Sequence, residues 1–426
     1  MPTKFARMLT VALIATAGVL TPTSFATATT TNADVAADST TITEWNTIAE
    51  RTIFAENETP VPASNLYFAF VSIAMYDAVV AIEGRYAPYL DQPRARSKAS
   101  PEVAAATAAY AVLRYYFPTS ADALRQDYLA SLADAPKGAA LAHGVRAGAA
   151  AATTLIRDRA DDGRNADVTL DVEPAPGVWR PTPPDFAPMA VPWLGFVDPL
   201  TLDSATQIRL DGPNPLTGSR YANDFNETKR WGEKDSSARD ASMTETALFF
   251  SANIVSQFQA GMRDAVTRRG LDIVESARAF ALLNTANADA VISCWRAKFD
   301  YPTWRPSTAI QLADTDGNPR TEADPTWEPL VPNPPYPEYA SGHACISGAS
   351  SNTFTYLFGY EAFDLNLFSP VTGTTRFYDN PDALDYQTLN ARIWLGIHFR
   401  DSLEDANRHG HAVSDWTLNN YFHATG

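Results

Sequence analysis

Three short segments of the C-terminal half hold the residues whose types and spacing could do chemistry. The first is Lys298-Phe-Asp-Tyr-Pro-Thr-Trp-Arg305-Pro306, in which a lysine closes a helix, Pro302 breaks it and an arginine follows. The second is Tyr339-Ala340-Ser341-Gly342-His343, placed to open a helix. The third is Arg392-Ile-Trp-Leu-Gly-Ile-His398-Phe-Arg400. Ser341 and Gly342 at a helix N-terminus offer backbone N–H groups and a hydroxyl to an anion, and the glycine lets it approach the backbone closely. Lys298 would add a point charge, and Arg305 and Arg392 two planar donor forks. Together these describe a pocket for a tetrahedral or trigonal-bipyramidal oxyanion. His343 and His398 are the titrating groups such a pocket needs, one as nucleophile or metal ligand and the other as general acid/base.

The elements that must position these residues read as helices. The composition, 45% hydrophobic, 19% charged and 11% aromatic over 426 residues, is that of a globular chain. A net charge of −16 disfavours nucleic acid and anionic membranes as partners. At the N-terminus Lys4 and Arg7, an apolar stretch over 8–20 and Ala26-Thr27-Ala28 read as a secretory signal. Residues 1–28 are therefore expected to be removed. The remainder, 29–426, is expected to form a single exported domain without stable membrane insertion, its first residues, 29–40, flexible. Ser64 is expected to cap a buried apolar helix over 66–82, in which Asp77 hydrogen-bonds within the core. Further helices are predicted over 101–117, from Thr119 or Ser120 to 133, and over 137–160, 243–265, 271–298, 341–358, 386–397 and 402–421. Residues 164–240, with Pro174, Pro176, Pro181, Pro183, Pro184, Pro188 and Pro192, read as ordered irregular structure over one end of the bundle. Strand alternation is nearly absent, so the fold class is all-α, a large helical bundle with proline-rich loops.

Two cysteines, Cys294 and Cys345, exclude a disulfide scaffold and a four-cysteine zinc site. They come near each other if the site assembles, either as a disulfide or as free buried thiols. His409-Gly-His411 reads as solvated surface. The calcium-like start at Asp314 reads as a turn, because Pro325 stands where the loop needs its last acid.

The combination Lys-x6-Arg-Pro, Ser-Gly-His and Arg-x5-His resembles the three-part signature of vanadium-dependent haloperoxidases, which type 2 phosphatidic acid phosphatases and related acid phosphatases share. Asp324-Pro-Thr-Trp-Glu-Pro, Pro334-Pro-Tyr-Pro-Glu-Tyr and Ala74-Met-Tyr-Asp-Ala-Val look like the secreted bacterial haloperoxidase-like branch. The resemblance implies an all-α fold built around two four-helix bundles, and a homodimer. It implies that Lys298, Arg305 and Arg392 bind equatorial oxygens of vanadate (or of phosphate, its near-isostere), with Ser341 and the Gly342 N–H completing the cradle. His398 would be the axial ligand to vanadium, and His343 the acid/base. Lys298 would withdraw charge from bound peroxide, and Trp295 and Tyr336 would line the halide site. The implied activity is oxidation of halide by hydrogen peroxide to hypohalous acid. The alternatives are a phosphatase, in which His398 attacks a phosphate monoester and forms phosphohistidine, and an oxyanion-binding protein without turnover. Two positions depart from the family pattern. Ala340 replaces a proline before Ser-Gly-His. Ser402 replaces an acid that would orient His398, leaving a backbone carbonyl, Asp401, Glu404 or Asp405 for that task.

Overall fold

Local signals set where most helices start. The computed structural model describes residues 32–95 and 98–425, so the signal segment lies outside the described residues. The first half holds α1 (Asn32–Glu50), α2 (Val61–Glu83), α3 (Pro101–Tyr116), α4 (Ala121–Ser131) and α5 (Ala139–Asp158). The second holds α6 (Ser219–Gly232), α7 (Ala241–Phe249), α8 (Ile254–Arg269), α9 (Ile273–Asp300), α10 (Pro306–Gln311), α11 (Gly342–Phe358), α12 (Pro381–Trp394) and α13 (Arg400–Asn420). Side chains of Ser100, Asp240, Asn253, Asp272, Ser341 and Asn380 cap α3, α7, α8, α9, α11 and α12 by accepting backbone N–H groups that lack partners within their helices. Asp272 and Glu275 form a full capping box.

The all-α expectation holds, with local corrections. Residues 32–40, expected flexible, belong to α1. Helix α2 starts after Pro60, and the Ser64 hydroxyl donates to Val61 O instead of capping. The stretch 243–265 is two helices, because Asn253 stops one and caps the next. The irregular region contains α6. A hairpin, β1 (Leu365–Ser369) against β2 (Thr374–Tyr378), was not foreseen. Its strands are five residues each, and only β1 alternates clearly, with Leu365 and Leu367 buried against the bundle.

Helix α9 runs through the centre and packs on α2, α11 and α13, while α3 and α5 pack on α2. Helix α2 is long and apolar enough to cross a membrane, yet 83% of its most apolar window is buried within the fold. Asp77 in it accepts the N–H groups of Tyr89 and Leu90, as expected for a core acid. Gly348 and Gly410 let α11 and α13 touch backbone to backbone, since a Cβ on either would collide with the partner helix's main chain.

The proline-rich region is tied to this frame at defined points. Buried Asp289 of α9 accepts the N–H groups of Leu200, Thr201 and Leu202 and the Thr201 hydroxyl, at 2.6–3.0 Å. Trp179 N donates to Pro302 O at 2.7 Å, and Ala190 N to Pro335 O at 2.8 Å. The irregular segment thus clamps the loops that carry the site residues.

Candidate active site

Four elements and two loops converge. Lys298 occupies the last turn of α9 and is fully buried. Its ammonium donates to the carbonyls of Pro337 at 2.7 Å and Glu338 at 3.1 Å, and lies 5.0 Å from the Tyr336 ring centre and 5.5 Å from that of Trp295. Burial, reinforced by Arg305, holds its pKa well below the usual lysine range. Arg305 precedes α10 and is equally buried. Its Nε donates to Tyr336 O at 2.9 Å and its Nη1 to Ile397 O at 2.8 Å, whereas Nη2 has no partner. Arg392, near the end of α12, donates from Nη1 to Phe250 O at 2.9 Å, and its Nε is unpartnered. Burial pushes its pKa down to about 10.

Ser341 caps α11, its hydroxyl accepting from Ala344 N. At Gly342 any side chain is excluded, because a Cβ would lie 2.6 Å from Cζ3 of Trp295. His343 follows on the first turn, half-buried, with Nε2 unpartnered and a pKa held well below the usual histidine value by burial and by Arg392.

His398 sits in the turn between α12 and α13. Its Nδ1 lies 2.8 Å from Glu338 Oε1, and its Nε2 lies 3.2 Å from Nη1 of Arg305. An arginine can only donate, so the network assigns the lone pair to Nε2 and the proton to Nδ1, which donates to Glu338. Burial first, then the surrounding cations, keeps His398 neutral.

The orienting acid is therefore Glu338, which the sequence reading missed. None of the acids nearer in sequence does this work. Asp401 accepts from Asn214 N, and Asp405 from the Tyr339 hydroxyl. Ser402 donates to the Glu338 carbonyl. Glu338 also accepts Phe399 N–H at 3.0 Å, and burial raises its pKa to about 7 against the pull of Phe399 N–H, Arg305 and Lys298. The available signal was an acid three positions before Ser341, in a loop already known to carry Tyr336.

Three buried cations thus face one carboxylate, with buried donors unpaired on Arg305 and Arg392. That donor set fits a multiply charged tetrahedral oxyanion, with His398 Nε2 unprotonated and turned toward Arg305 Nη1. Trp295 forms a buried wall here: its indole N–H is committed to Ala190 O, and its ring lies 4.9 Å from that of Tyr336, which is half-buried. Cys294 and Cys345 form a disulfide between α9 and α11, with Cα atoms 6.7 Å apart. His409 is buried with both ring nitrogens unpartnered, and His411 pairs with Asp385 at 2.7 Å, so the solvated reading of that pair is corrected.

Comparison with known proteins bears on this geometry. Residues 278–424, which carry the Lys298–Pro306, Tyr339–His343 and Arg392–Arg400 segments, match the VCPO second helical-bundle domain. Along 92% of this chain and 97% of the other, the structure superposes on a bacterial vanadium-dependent iodoperoxidase with a TM-score of 0.74 at 22% identity. The chain has the vanadium haloperoxidase fold. A holo-type bacterial vanadium-dependent chloroperoxidase shares that fold with a TM-score of 0.67 at 18% identity, over 84% of this chain and 91% of the other. Vanadium chloroperoxidase from Curvularia inaequalis is 39% identical over 83 residues, which span 17% of this chain and 13% of that protein. Within the vanadium haloperoxidase fold, the matched domain begins inside α9 and ends beyond α13, so it takes in all nine predicted site residues from Trp295 to His398.

Proposed function

We propose that this chain binds vanadate in the cradle and oxidises halide with hydrogen peroxide to hypohalous acid, as an exported enzyme. The observation that carries the reading is the pairing of three buried, under-compensated cations with a neutral His398 whose unprotonated Nε2, turned toward Arg305, keeps its lone pair. The relatives named above are vanadium chloroperoxidases and an iodoperoxidase, and the N-terminal Lys4, Arg7 and apolar 8–20 segment supports export. Bound vanadate would supply a Lewis-acid centre that activates peroxide toward halide.

The chain's own residues do the rest. Lys298, Arg305 and Arg392 would hold the anion's oxygens by charge, and the Ser341 hydroxyl and Gly342 N–H would complete the cradle. Glu338 fixes the His398 tautomer, so that Nε2 would be the atom that holds the vanadium. His343, neutral and unpartnered at Nε2, is placed to take a proton from incoming peroxide and return it to the leaving oxygen. Tyr336, half-buried over Lys298 and Arg305, and the wall of Trp295 line the side on which halide would approach.

The test uses residues 29–426 in a peroxide-dependent bromination assay with and without orthovanadate. Turnover should require vanadate, and His398→Ala should lose it by about 100-fold or more. A silent protein that instead hydrolyses a phosphate monoester, inhibited by vanadate, would replace this reading with the phosphatase. Vanadate binding without either activity would leave oxyanion binding alone.

A further inference from the structure

Beside Glu338 lies a cavity of about 320 Å³. None of Lys298, Arg305, His343, Arg392 and His398 lines it, although Glu338 does. Its walls include the rings of Tyr221, Trp304 and Phe399, and its polar lining includes the carboxylates of Asp224 and Asp401. No lysine, arginine or histidine lines it. We infer that this cavity is a second ligand site, built for a small organic ammonium ion with an aromatic or alkyl body.

Two sets of observations support the assignment independently. The first is unspent hydrogen bonding. Tyr221 is 5% exposed and Trp304 is 2% exposed; the Trp304 indole N–H turns to the Tyr221 hydroxyl outside good hydrogen-bond geometry, and that hydroxyl has no other partner. A buried hydroxyl short of partners is costly, and the Tyr221 oxygen can accept from a ligand's N–H, which the indole N–H, a donor only, cannot do.

The second is charge. Asp401 N–H donates to Asp224 at 3.3 Å, which brings the two acids side by side. Of the arginines that act on the pair, Arg400 is held by Glu227 through Nε and Nη2 at 3.1 and 2.6 Å, and Arg408 by Asp405. Burial, and then Asp401, Glu227 and Glu404, push the Asp224 carboxyl up to about 7. An ammonium group beside Asp224 would relieve that repulsion, and the aromatic faces would hold it by cation–π attraction. A divalent metal fits poorly, because proline and aromatic walls supply too few oxygens for its shell.

The inference does not depend on the proposed peroxidase activity. Calorimetric titration of the vanadate-loaded protein with phenethylammonium sulfate, phenethyl alcohol and phenylacetate decides it. The ammonium ion should bind one site at least tenfold more tightly than the alcohol, and phenylacetate should not bind. Asp224→Asn should erase the tenfold preference while vanadate affinity stays unchanged. Tyr221→Phe should weaken binding without changing the preference for charge. Equal affinity for ammonium ion and alcohol, or no saturable binding, overturns the assignment on the unaltered protein alone, whether or not the variants fold. Competition between phenethylammonium and vanadate would overturn it as well, by placing the cation at the cradle.

Discussion

One proton on the His398 ring decides what the cradle can do. With Nδ1 protonated toward Glu338, Nε2 keeps its lone pair, and burial, reinforced by the three surrounding cations, prevents a second protonation. Glu338→Gln retains an acceptor for His398 and Phe399 but removes the charge that makes the imidazole a strong donor. Its turnover should fall by about 10- to 100-fold. Glu338→Ala removes the acceptor too, so vanadate affinity should fall with turnover. Titrating vanadate-free protein while following bromination separates the two effects. Equal vanadate affinity in both variants would mean that Glu338 does not hold the ring. The residues proposed to bind the anion were legible because each lies in a contiguous motif with a fixed chemical type. Glu338 was not, because its role exists only once Lys298 has drawn the carbonyls of Pro337 and Glu338 inward.

At the scale of elements, the site depends on how closely α9 approaches the start of α11. Trp295 of α9 lies under Gly342, where a Cβ would meet its ring at 2.6 Å. Gly342→Ala should therefore push the helix start away from Lys298, costing about 1–3 kcal/mol of stability and at least tenfold in vanadate affinity. Adding Trp295→Leu opens the space and should recover part of both losses, a coupling that a double-mutant cycle measures. Additive losses would show that the two residues do not meet. Helix starts were readable where proline or a capping side chain marks them, as at Pro101, Asp272 and Ser341. The break before Asn253, helix α6 and the hairpin were not. Their signals are short, and the burial that stabilises Leu365 and Leu367 comes from the bundle rather than from local pattern.

The whole chain carries a net charge of −16 around a cationic pocket, so the site's field is local and its geometry must be held by the frame. That frame is α9 against α11, with α2 behind α9 and α13 behind α11. The Cys294–Cys345 disulfide crosses it, at a sequence separation of 51, from the residue before Trp295 to the second residue after His343. In the chain-entropy account a loop of that length contributes about 4 kcal/mol by restricting the unfolded chain. The double variant Cys294→Ala/Cys345→Ala should accordingly melt several degrees lower, and reductant should lower the melting temperature of the unaltered protein but not of the variant. Vanadate affinity at room temperature should change little. The cradle's closest ties, Lys298 to the 337–338 carbonyls, Trp295 to Ala190 and Glu338 to His398, all survive the substitution. If vanadate affinity fell in proportion to stability, the disulfide would be setting the distance between α9 and α11 in the folded state, and the packing of Trp295 beneath Gly342 would be its consequence.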